Sequence, residues 1–164
     1  MSQEPARKSR PLSVQGAPLE SILEQWKRQR PDLDPGPMAV CGAIRRTNDR
    51  VRTAIEGNVA EAGLDGAGFD VLLTLRRQGK GETLTPSELA GEMMLSTSAM
   101  TNRLDRLEKR GLIARTADPK DRRSLKVTLT EDGFALADGL VVSHLAVEEE
   151  LLAPLSGAER EELM

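Results

Sequence analysis

Residues 84–125 read LTPSELAGEMMLSTSAMTNRLDRLEKRGLIARTADPKDRRSL, and the fold turns on them. Thr85-Pro86-Ser87-Glu88 is a helix start. Thr85 suits the N-cap, Pro86 the first turn, where its missing N–H costs nothing, and Glu88 the reciprocal capping-box position. The helix it opens is short, because the polar step Leu95-Ser96-Thr97-Ser98 intervenes. Ser96 suits the cap of a second helix running to Gly111, a natural C-terminal stop. Two short helices joined by a tight turn make a helix-turn-helix. The period then changes. Leu125, Val127 and Leu129 alternate with Lys126 and Thr128, which is strand spacing, and Leu112, Ile113 and Ala114 are the expected partner strand. Asp118-Pro119-Lys120-Asp121-Arg122-Arg123 is the turn between them. A hairpin directly after the second helix predicts a winged helix-turn-helix, mainly α with a small β-hairpin wing (α+β).

Outward from this centre the chain reads as helices. Residues 1–17, with Pro5, Pro11 and little apolar content, are expected to form a flexible arm. Leu19, Ile22, Leu23 and Trp26 recur at helical spacing over Leu19–Arg30, and Pro31-Asp32-Leu33-Asp34-Pro35-Gly36 breaks that helix. Val40, Ile44, Val51, Ile55 and Val59 predict a second helix over about 37–62. Phe69, Leu72, Leu73 and Leu75 mark a third that stops near Gly79. A long helix is expected from Thr130 to about Leu152, with Glu131 and Asp132 at its positive N-terminal end. Ser156-Gly157-Ala158-Glu159 opens another, and the sequence stops so soon afterwards, at Met164, that this last helix is expected to be truncated.

Composition bounds the function. With 38% apolar and 30% charged residues the chain has the balance of a soluble intracellular protein, and no apolar run approaches membrane-spanning length. A single cysteine, Cys41, excludes an internal disulfide or a cysteine-based zinc site, and a single histidine, His144, excludes a His-rich metal centre. No phosphate loop or nucleophile–base pair is present, so neither an enzyme nor a cofactor is expected, and His144 reads as structural.

The formal charge of −3 conceals an asymmetry. Between Thr101 and Lys126 nine basic residues face four acidic ones, leaving that window at +5 and the remainder at −8. A basic segment on an acidic scaffold is a footprint for a polyanion. On a helical wheel of Ser96–Gly111, Met100, Leu104 and Leu107 share the core-facing side. Ser98, Asn102, Asp105, Arg106 and Lys109 lie roughly opposite, offering the hydroxyl, amide and guanidinium groups that read base edges. Thr97 and Thr101 flank that face, suited to phosphate or thymine-methyl contact. Arg122 and Arg123, at the hairpin tip, suit a minor groove, with Asp121 orienting one of them.

The segment from about Phe69 to Leu152 resembles the MarR family of winged-helix transcription regulators. The carriers are Leu84–Ala90, Ser98–Glu108, Gly111–Arg115 and Asp118–Leu125, followed by Leu129-Thr130-Glu131-Asp132-Gly133. The resemblance implies a DNA-binding homodimer on a pseudo-palindrome, with repression as its expected effect. It casts 18–66 as N-terminal helices for dimerisation and ligand, 67–130 as the DNA-binding region and 131–164 as C-terminal dimerisation helices. Gln25-Trp26, Pro31-Asp32-Leu33-Asp34, Pro37-Met38 and Met100–Arg103 resemble the urate-responsive group, which carries an extra first helix. That likeness implies a small anionic aromatic ligand such as urate, held by Trp26, Asp70 and Arg103. Arg103 lies beside the core stripe on the wheel, so Asp70 is its expected partner without ligand. The alternative is a thiol-based peroxide sensor using Cys41 with Arg45 one turn on; such sensors hold the thiolate with tyrosines, and this chain has none.

Overall fold

The computed structural model describes residues 17–93, 97–118 and 124–164. Among them the order is α1 (Leu19–Gln29), α2 (Gly36–Ala60), α3 (Gly66–Gln78), α4 (Pro86–Glu92), α5 (Thr97–Lys109), β1 (Ile113–Ala117), β2 (Leu125–Leu129), α6 (Glu131–Leu152) and α7 (Gly157–Glu162). The chain divides into two compact units, one ending at Asn48 and one from Asp49 to Met164. The expected arm over 1–17 and the Ser96 cap fall, but for Ala17, outside the described residues.

In the first unit α1 ends at Gln29, one residue before the expected Arg30, which is its C-cap and whose N–H closes on the carbonyl of Trp26. Arg30 then pairs with Asp32 at 2.6 Å, and Asp34 accepts the N–H of Gly36 at 2.9 Å, which turns the chain into α2. Leu19 packs against Gly42, where an added Cβ would lie 2.9 Å from its methyl carbon.

In the second unit α2 ends at Ala60, slightly before the expected Ala62. Gly63, with φ +66°, bonds the carbonyl of Ala60, and Leu64 reaches back to Val59. This paired closure satisfies two of the orphan carbonyls of the helix end. Asp65 immediately caps α3 by accepting the N–H of Gly68 at 2.7 Å. Phe69, Val71, Leu72 and Leu75 of α3 are buried with Leu89 of α4, Met100, Leu104 and Leu107 of α5, Ile113, Val127 and Ala137. The capping box opening α4 is present in both directions between Thr85 and Glu88.

The wing is an antiparallel pair in which Ile113 faces Leu129 and Ala117 faces Leu125. Leu84, just ahead of the α4 cap, adds a bridge to Val127 through bonds of 2.8 and 3.0 Å. Two expectations need correction. Helix α5 stops at Lys109, short of Gly111, and Leu112 is not in the strand. Gly111 at φ +69° bonds Glu108 while the N–H of Leu112 bonds Leu107, so both residues close the helix end and β1 starts only at Ile113. Thr130 then caps α6, its hydroxyl accepting from Gly133 and donating to the carbonyl of Gly111. Among the described residues no helix is long and apolar enough to cross a membrane.

Candidate nucleic-acid interface

Helix α5 is held by its apolar stripe. Met100, Leu104 and Leu107 are each at most 2% exposed, as the wheel requires, and this leaves Thr101, Asn102, Arg106 and Lys109 exposed on the outside. Thr97 and Ser98 lie in the first turn of α5, and their side chains are outside what the structure describes. Asp121, Arg122 and Arg123 of the wing tip also lie outside the described residues. The base of the wing is described: the N–H of Asp118 donates to the carbonyl of Ser124 at 2.9 Å, and Lys126 sits 3.6 Å from Asp118 and 3.9 Å from Glu88.

Arg103 and Arg106 of α5, and Arg110 just after it, reach the turn between α2 and α3. Arg110 donates to the carbonyls of Gly63 and Ala62 at 2.7 and 2.6 Å, neutralising the negative end of α2. Arg106 donates to the second oxygen of Asp65 at 3.0 Å, so one carboxylate both caps α3 and tethers the outward helix. Arg103, half-buried, lines a cleft of about 330 Å3 with Gly63, Leu64, Asp65, Gly68, Arg106, Leu107 and Arg110. Three guanidiniums against one carboxylate make this cleft electropositive.

Asp70 does not pair with Arg103 as the sequence reading expects: among the described residues no ion pair within 4.0 Å joins them. Arg103 lines the cleft beside Leu107 and the α2–α3 turn instead. The two still feel each other. Desolvation by the surrounding chain pushes the Asp70 carboxyl above the ordinary aspartate range, although it keeps contact with solvent; the charges of Arg103 and His144 oppose that rise, and Asp65 adds to it. His144, on α6, packs edge-to-face on Phe69 with ring centres 5.0 Å apart and approaches Glu148 at 3.2 Å, in keeping with a structural role.

Trp26 lies on α1 in the first unit and is 43% exposed, while Asp70 and Arg103 lie in the second. Cys41 is exposed on α2. No cluster of metal-ligating side chains occurs among the described residues. The sequence reading missed the Asp65 cap, although an aspartate just ahead of a helix is a recognised start signal. It also missed the partners of Arg106, Arg110 and Arg115, which sit far along the chain or on another element.

Comparison with known proteins comes to the same helices. The MarR family pattern matches residues 67–125, which hold α3 to the start of β2. The HTH-type transcriptional regulator PecS of Dickeya dadantii is 37% identical over 145 residues, covering 88% of this chain and 87% of its own length. Among solved structures, Bordetella bronchiseptica BpsR, studied for the regulation of its DNA binding by 6-hydroxynicotinic acid, is 29% identical with a TM-score of 0.68. The match covers 76% of this chain and 92% of that one. A cysteine-to-serine mutant of Escherichia coli MarR complexed with operator DNA, at 24% identity and a TM-score of 0.68, shares the fold over 84% of this chain and 91% of that one.

Proposed function

The chain belongs to the MarR family of DNA-binding transcriptional regulators, which are not enzymes, and we propose that it is a repressor that binds a pseudo-palindromic operator as a homodimer and is released by a small anionic aromatic ligand. Its place of action is then the cytoplasm, on the nucleoid. The observation that carries the DNA-reading part is α5 itself. Its buried stripe fixes which side chains face out, and the exposed side offers Thr101, Asn102 and Arg106, with Thr97 and Ser98 in its first turn. Arg106 reaches bases by exchanging Asp65 for a guanine edge. Arg122 and Arg123 enter the minor groove beside the major groove that α5 occupies, with Asp121 holding one of them.

The homodimer is supported by apolar side chains that stand exposed among the described residues: Val142 and Leu145 on α6 are 71% and 58% exposed, and Val40 and Ile44 on α2 are exposed as well. Such surface is costly to leave in water. In the paired form two recognition helices engage half-sites about 10 bp apart.

The ligand reading rests on Arg103. It points into an electropositive cleft from the helix that reads DNA, so an anion bound there acts on that helix directly. Trp26 supplies a stacking face and Asp70 a carboxyl that moves or takes up a proton as the anion arrives. A planar heteroaromatic acid regulates BpsR, which agrees with the class of ligand; urate is the expectation for this chain. The test is a titration of urate, related purines and 6-hydroxynicotinate against a preformed complex with DNA from upstream of the protein's own gene. Release by one of them, blunted in Trp26→Ala and Arg103→Ala, supports the reading. An intact complex together with no heat of binding in calorimetry refutes it and returns Trp26 to packing.

A further inference from the structure

Strand β1 sends one side chain back across the recognition helix. Arg115 is 21% exposed and its Nε donates to Glu108 at 3.0 Å, while a terminal nitrogen bonds both Glu108 and, at 2.7 Å, Asp105. The two carboxylates lie three residues apart, one helical turn, and the guanidinium spans them. A planar fork with fixed donors accepts few orientations of two acids, so the contact constrains how α5 rotates and slides against the hairpin. It also holds two negative charges against a positive one on the helix that faces a polyanion.

We propose that Arg115 is a positioning residue for DNA recognition, setting the angle between the recognition helix and the wing by clamping Asp105 and Glu108. The inference rests on α5 and the hairpin being the DNA-binding elements. Its energetic logic is that specific binding needs both elements in register with two grooves at once, whereas non-specific binding needs only positive charge near phosphate. Loosening the clamp therefore costs discrimination before it costs charge-driven affinity.

The experiment exploits Arg115→Lys, which keeps the charge and loses the fork. Affinity for upstream DNA and for a scrambled duplex is measured at several salt concentrations for wild type, Arg115→Lys, Asp105→Asn and Asn102→Ala, with thermal melts establishing that each is folded. The expected result for Arg115→Lys is a drop of roughly tenfold in the specific-to-non-specific ratio, with the salt slope unchanged. Asp105→Asn is expected to bind scrambled DNA more tightly while losing discrimination, because it removes a negative charge and one jaw of the clamp together. An unchanged ratio in Arg115→Lys overturns the proposal whatever the other variants do, and so does an equal loss on both duplexes. Asn102→Ala reports separately on the reading face: if it is indifferent while Arg115→Lys loses discrimination, the clamp stands and the base-reading assignment falls.

Discussion

Alanine at Gly133 and alanine at Gly139 should move stability in opposite directions, though both sit in α6. A Cβ at Gly133 would lie 1.8 Å from the carbonyl oxygen of Leu112 and 2.7 Å from its carbon. That carbonyl cannot yield freely: it accepts the N–H of Thr130 at 3.1 Å, and the Thr130 hydroxyl bonds the neighbouring Gly111 carbonyl at 2.6 Å. Relief requires the first turn of α6 to move by about 1.5 Å to reach ordinary contact. The move breaks the two Thr130 bonds, about 1 kcal/mol each. Residual overpacking adds about 2 kcal/mol. Replacing a helical glycine returns up to about 1 kcal/mol. The net loss is about 3 kcal/mol, which for a chain of this size lowers Tm by roughly 6–12 °C. Gly139 meets nothing within 4 Å, so Gly139→Ala keeps the helix gain alone and should raise Tm by a few degrees, about 2–4 °C. Calorimetric melts of the two variants decide it. Equal shifts of the same sign would refute the close approach of α6 to the end of the recognition helix.

Three further outcomes are expected. Glu88 is held below the usual carboxylate range, first by the Thr85 N–H and then by the Thr85 hydroxyl, so its contribution is whole above about pH 4.3 and is lost as pH falls through its lower folded value. Melts of Glu88→Gln should be less stable than wild type at neutral pH and should converge with it in acid. Arg122→Ala and Arg123→Ala should weaken binding to all duplexes and reduce the salt slope by about one each, read from affinities across a salt series. Cys41→Ser should leave operator binding unchanged with and without stoichiometric peroxide in a gel-shift series; peroxide release abolished by the substitution would make the thiol the sensor.

The winged helix was legible because its signals are local. The Thr85–Glu88 box, the Met100–Leu104–Leu107 stripe and the strand spacing from Leu125 to Leu129 each lie within a few residues. The box, the stripe and the strand are present in the structure, although Leu125 stays 45% exposed and only Val127 of that strand is buried. What escaped the sequence depends on where distant segments meet. Arg106 reads as an outward charge on a wheel, yet it reaches Asp65 more than forty residues earlier, and Arg110 likewise reaches Gly63 and Ala62, where the α2–α3 turn meets the end of α5. Arg103 lines the cleft at that turn, and no ion pair joins it to Asp70 among the described residues. Gly133 carries no pattern that marks it in the sequence, and the approach of the Leu112 carbonyl explains why a glycine stands there. Leu84 joined the wing because a backbone bridge to Val127 needs no side-chain pattern at all.

Whether the outer face of α5 reads bases is decided by comparing specific with scrambled DNA. Fluorescence anisotropy at fixed salt compares upstream DNA with a scrambled duplex for wild type and Asn102→Ala. Wild type should prefer its operator by at least about 10³-fold, and Asn102→Ala should lose roughly 5- to 150-fold of that preference for each half-site engaged, with little change on scrambled DNA. Equal preference in the two proteins, or no preference in wild type, would contradict base reading by α5.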